Sequence, residues 1–131
     1  MARQRSEHPT ELELQILKIL WQRAPQAVRE VREALAVEGR EIAHTSAITT
    51  LNIMVRKGYL KRKQEGKSYL FSPKVKESSV RKNMLGDVVQ RVFDGSVKAT
   101  VLQLFDQSEI DEDELEDLRK LIELKVKEKS E

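Results

Sequence analysis

The stretch from Ala43 to Pro73, AHTSAITTLNIMVRKGYLKRKQEGKSYLFSP, changes its apolar period in the middle. Up to Lys57, the residues Ala47, Leu51, Met54 and Val55 recur as they would on one face of a helix. From Leu60 onward the pattern is that of strands. Leu60 to Lys63 and Ser68 to Ser72 flank Gln64-Glu65-Gly66-Lys67, a Gly-containing turn of hairpin length. Tyr69 and Phe71 share one face of the second run, with Leu70 opposite. Gly58 sits where a left-handed C′ residue would end the helix. A helix that feeds directly into a hairpin leaves few folds open, and the preceding chain narrows them further.

Two more helices come first. Thr10 and Glu13 have the spacing of a capping box, in which each side chain accepts the other residue's backbone N–H. Leu12, Ile16, Ile19 and Leu20 then repeat on one face up to Trp21, and Pro25 closes the segment. A second helix is predicted from about Val28 to Val37, with Val28, Val31 and Leu35 inward and Gly39 placed to end it. Its N-cap, Ala27, lacks a side-chain acceptor, which costs about 1 kcal/mol. Pro73 marks the end of this first unit.

Beyond it, Val80, Met84, Leu85, Val88, Val89, Val92 and Phe93 trace a wide apolar stripe on a long helix that stops at Gly95. Ser96 can cap a further helix with Val97, Val101, Leu104 and Phe105 inward. A last helix is predicted from about Asp111 to Lys127, with Leu115, Leu118, Leu121 and Ile122 on its apolar face. Three short helices rarely make a sufficient core alone, so these stripes call for a second copy of the chain. The alternative is that they pack back on the first unit in a monomer. The expected architecture is mainly α with a small β-hairpin wing: a winged helix-turn-helix over residues 1–74 and a three-helix dimerisation domain over 75–131.

Charge divides along the same line. Residues 1–82 hold 17 Lys/Arg against 9 Asp/Glu, and residues 83–131 hold 7 against 13. A basic first part suits a polyanion and an acidic second part is kept off it. Catalysis and metal binding have little to stand on. The chain has no cysteine, and its two histidines, His8 and His44, are far apart in sequence. The acidic run Asp111 to Asp117 lacks the ligand spacing and turn glycine of a calcium loop; it reads as the first turn of the last helix, set against Lys125, Lys127 and Lys129 at the other end. No cofactor or metal is expected. The N-terminus has no apolar secretion segment and no apolar run spans a bilayer, so a cytoplasmic protein without membrane insertion is expected.

Duplex DNA is the polyanion that best fits the element order, because in a winged helix-turn-helix the third helix enters the major groove. The face of that helix opposite the apolar one carries Thr45, Ser46, Thr49 and Ile53, flanked by Thr50 and Arg56. Small hydroxyl side chains allow close approach to base edges and phosphates, and the methyls of Thr and Ile can meet the thymine methyl. Lys61, Arg62, Lys63 and Lys67 in the hairpin, and Arg3 and Arg5 in an N-terminal arm, supply cations for the sugar-phosphate backbone. The competing class is a protein-interaction adaptor, a winged helix that no longer reads DNA.

The segments TELELQILKILW, VREVREAL, AHTSAITTLNIMVRKGYLKRK and EGKSYLFSP, taken in this order, resemble the BlaI/MecI family of bacterial repressors, the penicillinase repressors, to which the CopY repressors are related. The resemblance implies a homodimer on a dyad-symmetric operator, blocking transcription of β-lactam-resistance-type genes, with a membrane sensor protease as a further partner. It implies groove contacts at Thr45, Ser46 and Thr49 and wing contacts near Lys67. A dimer core is implied at Leu85, Val89, Val92, Val101, Leu104, Leu118 and Ile122. The chain departs from the family pattern at Ile53, where many relatives carry Arg, and at Ala27, a frequent Thr cap. Release by cleavage of an Asn-Phe bond would fall here on Gln103-Leu104, a different pair, and copper sensing through C-terminal cysteines has no residues to use.

Overall fold

The computed structural model describes residues 8–131; Arg3 and Arg5 lie outside the described residues. Thr10 caps α1 (Glu11–Gln22). Its backbone N–H donates to Glu13 Oε1 at 3.0 Å, and the Glu13 N–H donates to Thr10 Oγ1 at 3.2 Å. A two-residue strand, β1 (Gln26–Ala27), follows and leads straight into α2 (Val28–Val37). Ala27 makes no side-chain cap bond, but its N–H donates to Glu30 Oε1 at 2.8 Å, supplying half of a capping box. That bond holds the Glu30 carboxyl below the usual carboxylate range. After α2, Gly39 takes φ 91° and the Arg40 N–H returns to the Leu35 carbonyl at 2.9 Å, a Schellman closure.

The helix α3 (His44–Lys57) ends at Gly58, whose φ of 89° lets the Tyr59 N–H reach the Met54 carbonyl at 2.9 Å. Then come β2 (Leu60–Glu65) and β3 (Ser68–Pro73), paired antiparallel from Leu60↔Pro73 to Glu65↔Ser68. The turn is thus tighter than the sequence suggests. Only Gly66 and Lys67 lie outside the pairing, with Gly66 at φ 61°. The hairpin is also not alone, because β1 pairs with β3 through Gln26↔Phe71 and Ala27↔Leu70 to make a three-stranded sheet in the order β1-β3-β2. Two residues carry too little period to be read as a strand from sequence.

The core gathers Ile16, Leu17, Leu20, Val31, Leu35, Leu51, Met54, Leu60 and Phe71. Leu17, which lies outside the stripe read from the sequence, is fully buried with the rest. Glu13 is buried as well, and Lys57 Nζ donates to its Oε2 at 2.9 Å, tying the last turn of α3 to the first turn of α1. Trp21 Nε1 donates to the Val75 carbonyl at 2.9 Å, fixing the chain just after the wing.

Residues up to Asp87 form one compact unit and Val88–Glu131 a second. The division falls inside α4 (Glu77–Val92) rather than at Pro73, because Val80 is buried in the first unit and His8 Nε2 lies 3.3 Å from Asp87 Oδ2. In the second unit Gly95 closes α4 with its N–H on the Val89 carbonyl at 2.9 Å. Ser96 caps α5 (Val97–Gln107) and Asp111 caps α6 (Glu112–Ser130), each by accepting a backbone N–H at 2.9 Å.

Candidate nucleic-acid interface

Because α3 turns about 100° per residue, its buried and outward residues separate cleanly. Ala47, Leu51 and Met54 are completely buried, which fixes the rotation of the helix. Thr45, Ser46, Thr49 and Arg56 are consequently exposed, while Thr50 and Ile53 are half-buried at the margin. The outward side of the first two turns therefore presents the hydroxyls and methyls of Thr45, Ser46 and Thr49. Such a surface allows a groove edge to come close.

The wing cations do not act as one cluster. In a strand successive side chains point to opposite faces. Leu60 and Phe71 turn into the core, and Arg62, opposite Phe71 in the register, is on their face. Lys61 and Lys63 are on the other face, open to solvent, and Lys67 is exposed in the two-residue turn. The Arg62 guanidinium lies 4.3 Å from the centroid of the Tyr69 ring, and its Nη1 donates to Asn52 Oδ1 on α3. Arg62 thus joins the wing to the third helix. The alternation Leu60-Lys61-Arg62-Lys63 could have separated these roles in advance, but nothing local marks Asn52 as its partner.

Among the described residues no three His, Cys, Asp or Glu side chains gather as a metal site would require, and no helix is long and apolar enough to cross a membrane.

A family model described as penicillinase repressor matches residues 9–124. The chain belongs to the penicillinase repressor family. This is a family of DNA-binding transcriptional repressors and not of enzymes. The chain is 21% identical over 110 residues to the methicillin resistance regulatory protein MecI of Mammaliicoccus sciuri, covering 84% of this chain and 89% of the relative. It is 22% identical over 114 residues to the penicillinase repressor of Bacillus licheniformis, covering 87% and 88%. Among solved structures it is similar to the Bacillus licheniformis BlaI monomeric form in complex with the blaP half-operator, with a TM-score of 0.45, 25% identity, and 53% of this chain and 83% of that chain covered.

Penicillinase repressor membership directs attention to the helices after the wing. No side chain from Val88 to Glu131 is fully buried. Of the residues expected in a dimer core, Leu85, Val92, Val101, Leu104 and Ile122 are exposed, and Val89 and Leu118 are half-buried. Val97, Phe105, Leu115 and Val126 are open as well. Gln103 and Leu104 lie inside α5, where Gln103 Nε2 donates to Gln107 Oε1 at 3.2 Å.

Proposed function

We propose that this penicillinase repressor acts in the cytoplasm as a homodimer on a dyad-symmetric operator of β-lactam-resistance-type genes. Residues 1–74 read the duplex and residues 75–131 pair, with the start of α4 serving also to complete the packing of the first unit. The observation that carries the reading is the rotation of α3. Its buried Ala47, Leu51 and Met54 leave Thr45, Ser46 and Thr49 facing out beside a hairpin that ends in Lys67. Ile53, at the edge of this face, brings an apolar contact where a charged one is frequent in relatives, and so gives the operator its own preference. Pairing is supported by the uncovered apolar side chains of α5 and α6, which a second copy would remove from water.

Selection of bound sequences from randomised duplexes, followed by titration across salt, tests the reading. A dyad-symmetric preference and a steep loss of affinity with salt are expected. A chain that selects no sequence and shifts no duplex at low salt is instead an adaptor. Two substitutions divide the labour. Thr49→Ala should change the selected sequence at one position in each half-site with little effect on salt dependence. Lys67→Ala should weaken binding to all sequences and lower the log–log salt slope by about 0.9 for each phosphate that is no longer neutralised; an unchanged slope would remove Lys67 from the backbone contacts.

Release of repression could pass through a membrane sensor protease or through another signal. The bond Gln103-Leu104 lies within the hydrogen-bonded helix α5, so a protease that takes extended backbone must first unwind that turn. Incubating the chain with membranes bearing such a protease and sizing the fragments checks whether this bond is used.

A further inference from the structure

Asn52 stands at the edge of the outward arc of α3. At about 100° per residue the arc runs from Asn52 through Thr45, Arg56 and Thr49 to Ile53 and Ser46, roughly 120° in all. Its side chain is half-buried and bonded to Arg62, and that bond determines its chemistry. A carboxamide can ordinarily turn either its oxygen or its amino group toward a neighbour. A guanidinium has only donors, so the atom facing Arg62 must be Oδ1. The guanidinium, exposed at the surface, lies against the Tyr69 ring at 4.3 Å from its centroid and is rooted on the core-facing side of β2 beside Phe71. The amide is therefore held in one orientation, with both Nδ2 hydrogens turned away from Arg62.

We propose, resting on the reading that α3 enters the major groove, that Asn52 is a specificity-determining residue donating from Nδ2 to a base-edge acceptor, and that Arg62 is the positioning residue that orients it. The bidentate grip of asparagine on adenine uses oxygen and amino group together, and here the oxygen is engaged. Single donation is met by guanine O6 or N7, thymine O4 or adenine N7, and refused by cytosine, at one base pair of each half-site. Arg62 is then withdrawn from the phosphate contacts that Lys61, Lys63 and Lys67 are placed to make.

The test is selection from randomised duplexes with the full chain, wild type and variants in parallel, with salt titrations on the preferred sequence. Asn52→Ala should flatten the preference at one base pair of each half-site, by roughly 5- to 10-fold in relative affinity. Asn52→Asp keeps an oxygen for Arg62 but replaces both donor hydrogens with an acceptor, so the base read at that position should swing toward cytosine, which offers only its N4 amino donor in the major groove. Arg62→Ala should flatten that same base pair while leaving the salt slope of the wild type, in contrast to Lys67→Ala. The proposal is overturned if Asn52→Ala and Asn52→Asp select the wild-type sequence. It is equally overturned if Arg62→Ala lowers the slope by about 0.9 and leaves every base preference intact, which makes Arg62 a phosphate contact. A wild type that selects no sequence removes groove reading by α3 itself, an outcome distinct from a selective wild type indifferent to Asn52.

Discussion

Ile122→Asp is expected to leave each protomer folded, to convert the protein to a monomer at micromolar concentration, and to lower operator affinity by about 10²- to 10⁴-fold. Ile122 is 57% exposed in the single chain, so a carboxylate there meets water and costs the protomer little. In a dimer that covers this face the same carboxylate would be buried without a partner in both copies, at a cost of several kcal/mol each, enough to raise the dissociation constant above the micromolar range. Affinity falls with it because the second half-site is no longer held at the effective concentration that linkage provides. Sedimentation velocity and operator titration on the same preparation check both parts. A variant that stays dimeric and binds as the wild type places the interface elsewhere.

Leu51→Ala is expected to destabilise the first unit by about 2–5 kcal/mol, a large share of the stability of a small domain. Leu51 is fully buried in a cluster that draws on α1, α2, α3 and both strands of the hairpin, so the vacated volume cannot be filled by one neighbour moving in. Urea unfolding followed by circular dichroism measures the loss. Thr49→Ala provides the contrast, since Thr49 is exposed on the opposite side of the same helix and its removal should leave the midpoint nearly unchanged. A Leu51→Ala chain that unfolds at the wild-type midpoint would mean that α3 is not seated by its apolar face.

The sequence made a good part of this fold legible, and the reasons are local. The span Val28 to Val37 for α2 and the end of α3 at Gly58 agree with the structure because apolar period, caps and a positive-φ glycine are encoded within a few residues of where they act. The same holds for the Thr10 and Glu13 capping box, for the cap at Ser96 and for the stop at Gly95. The hydroxyl-rich outward face of α3 was legible too, since it is the complement of the buried one. Membership of the penicillinase repressor family rests on the order of these segments across most of the chain.

Other features required the tertiary structure. Gln26 and Ala27 become a strand only because β3 passes beside them. Glu13 could be recognised as a cap from its spacing, but its burial under Lys57 depends on how α3 crosses α1. The most consequential case is the basic run Lys61-Arg62-Lys63. Sequence by itself determined that the run is basic and lies on a strand, which is enough to expect contact with a polyanion. Only the folded chain decided that Arg62, although exposed like its neighbours, lies on the other face of the strand against Tyr69 and Asn52. The physical reason is that strand alternation specifies two faces, and which of them meets the third helix depends on the packing of Leu60 and Phe71 into the core.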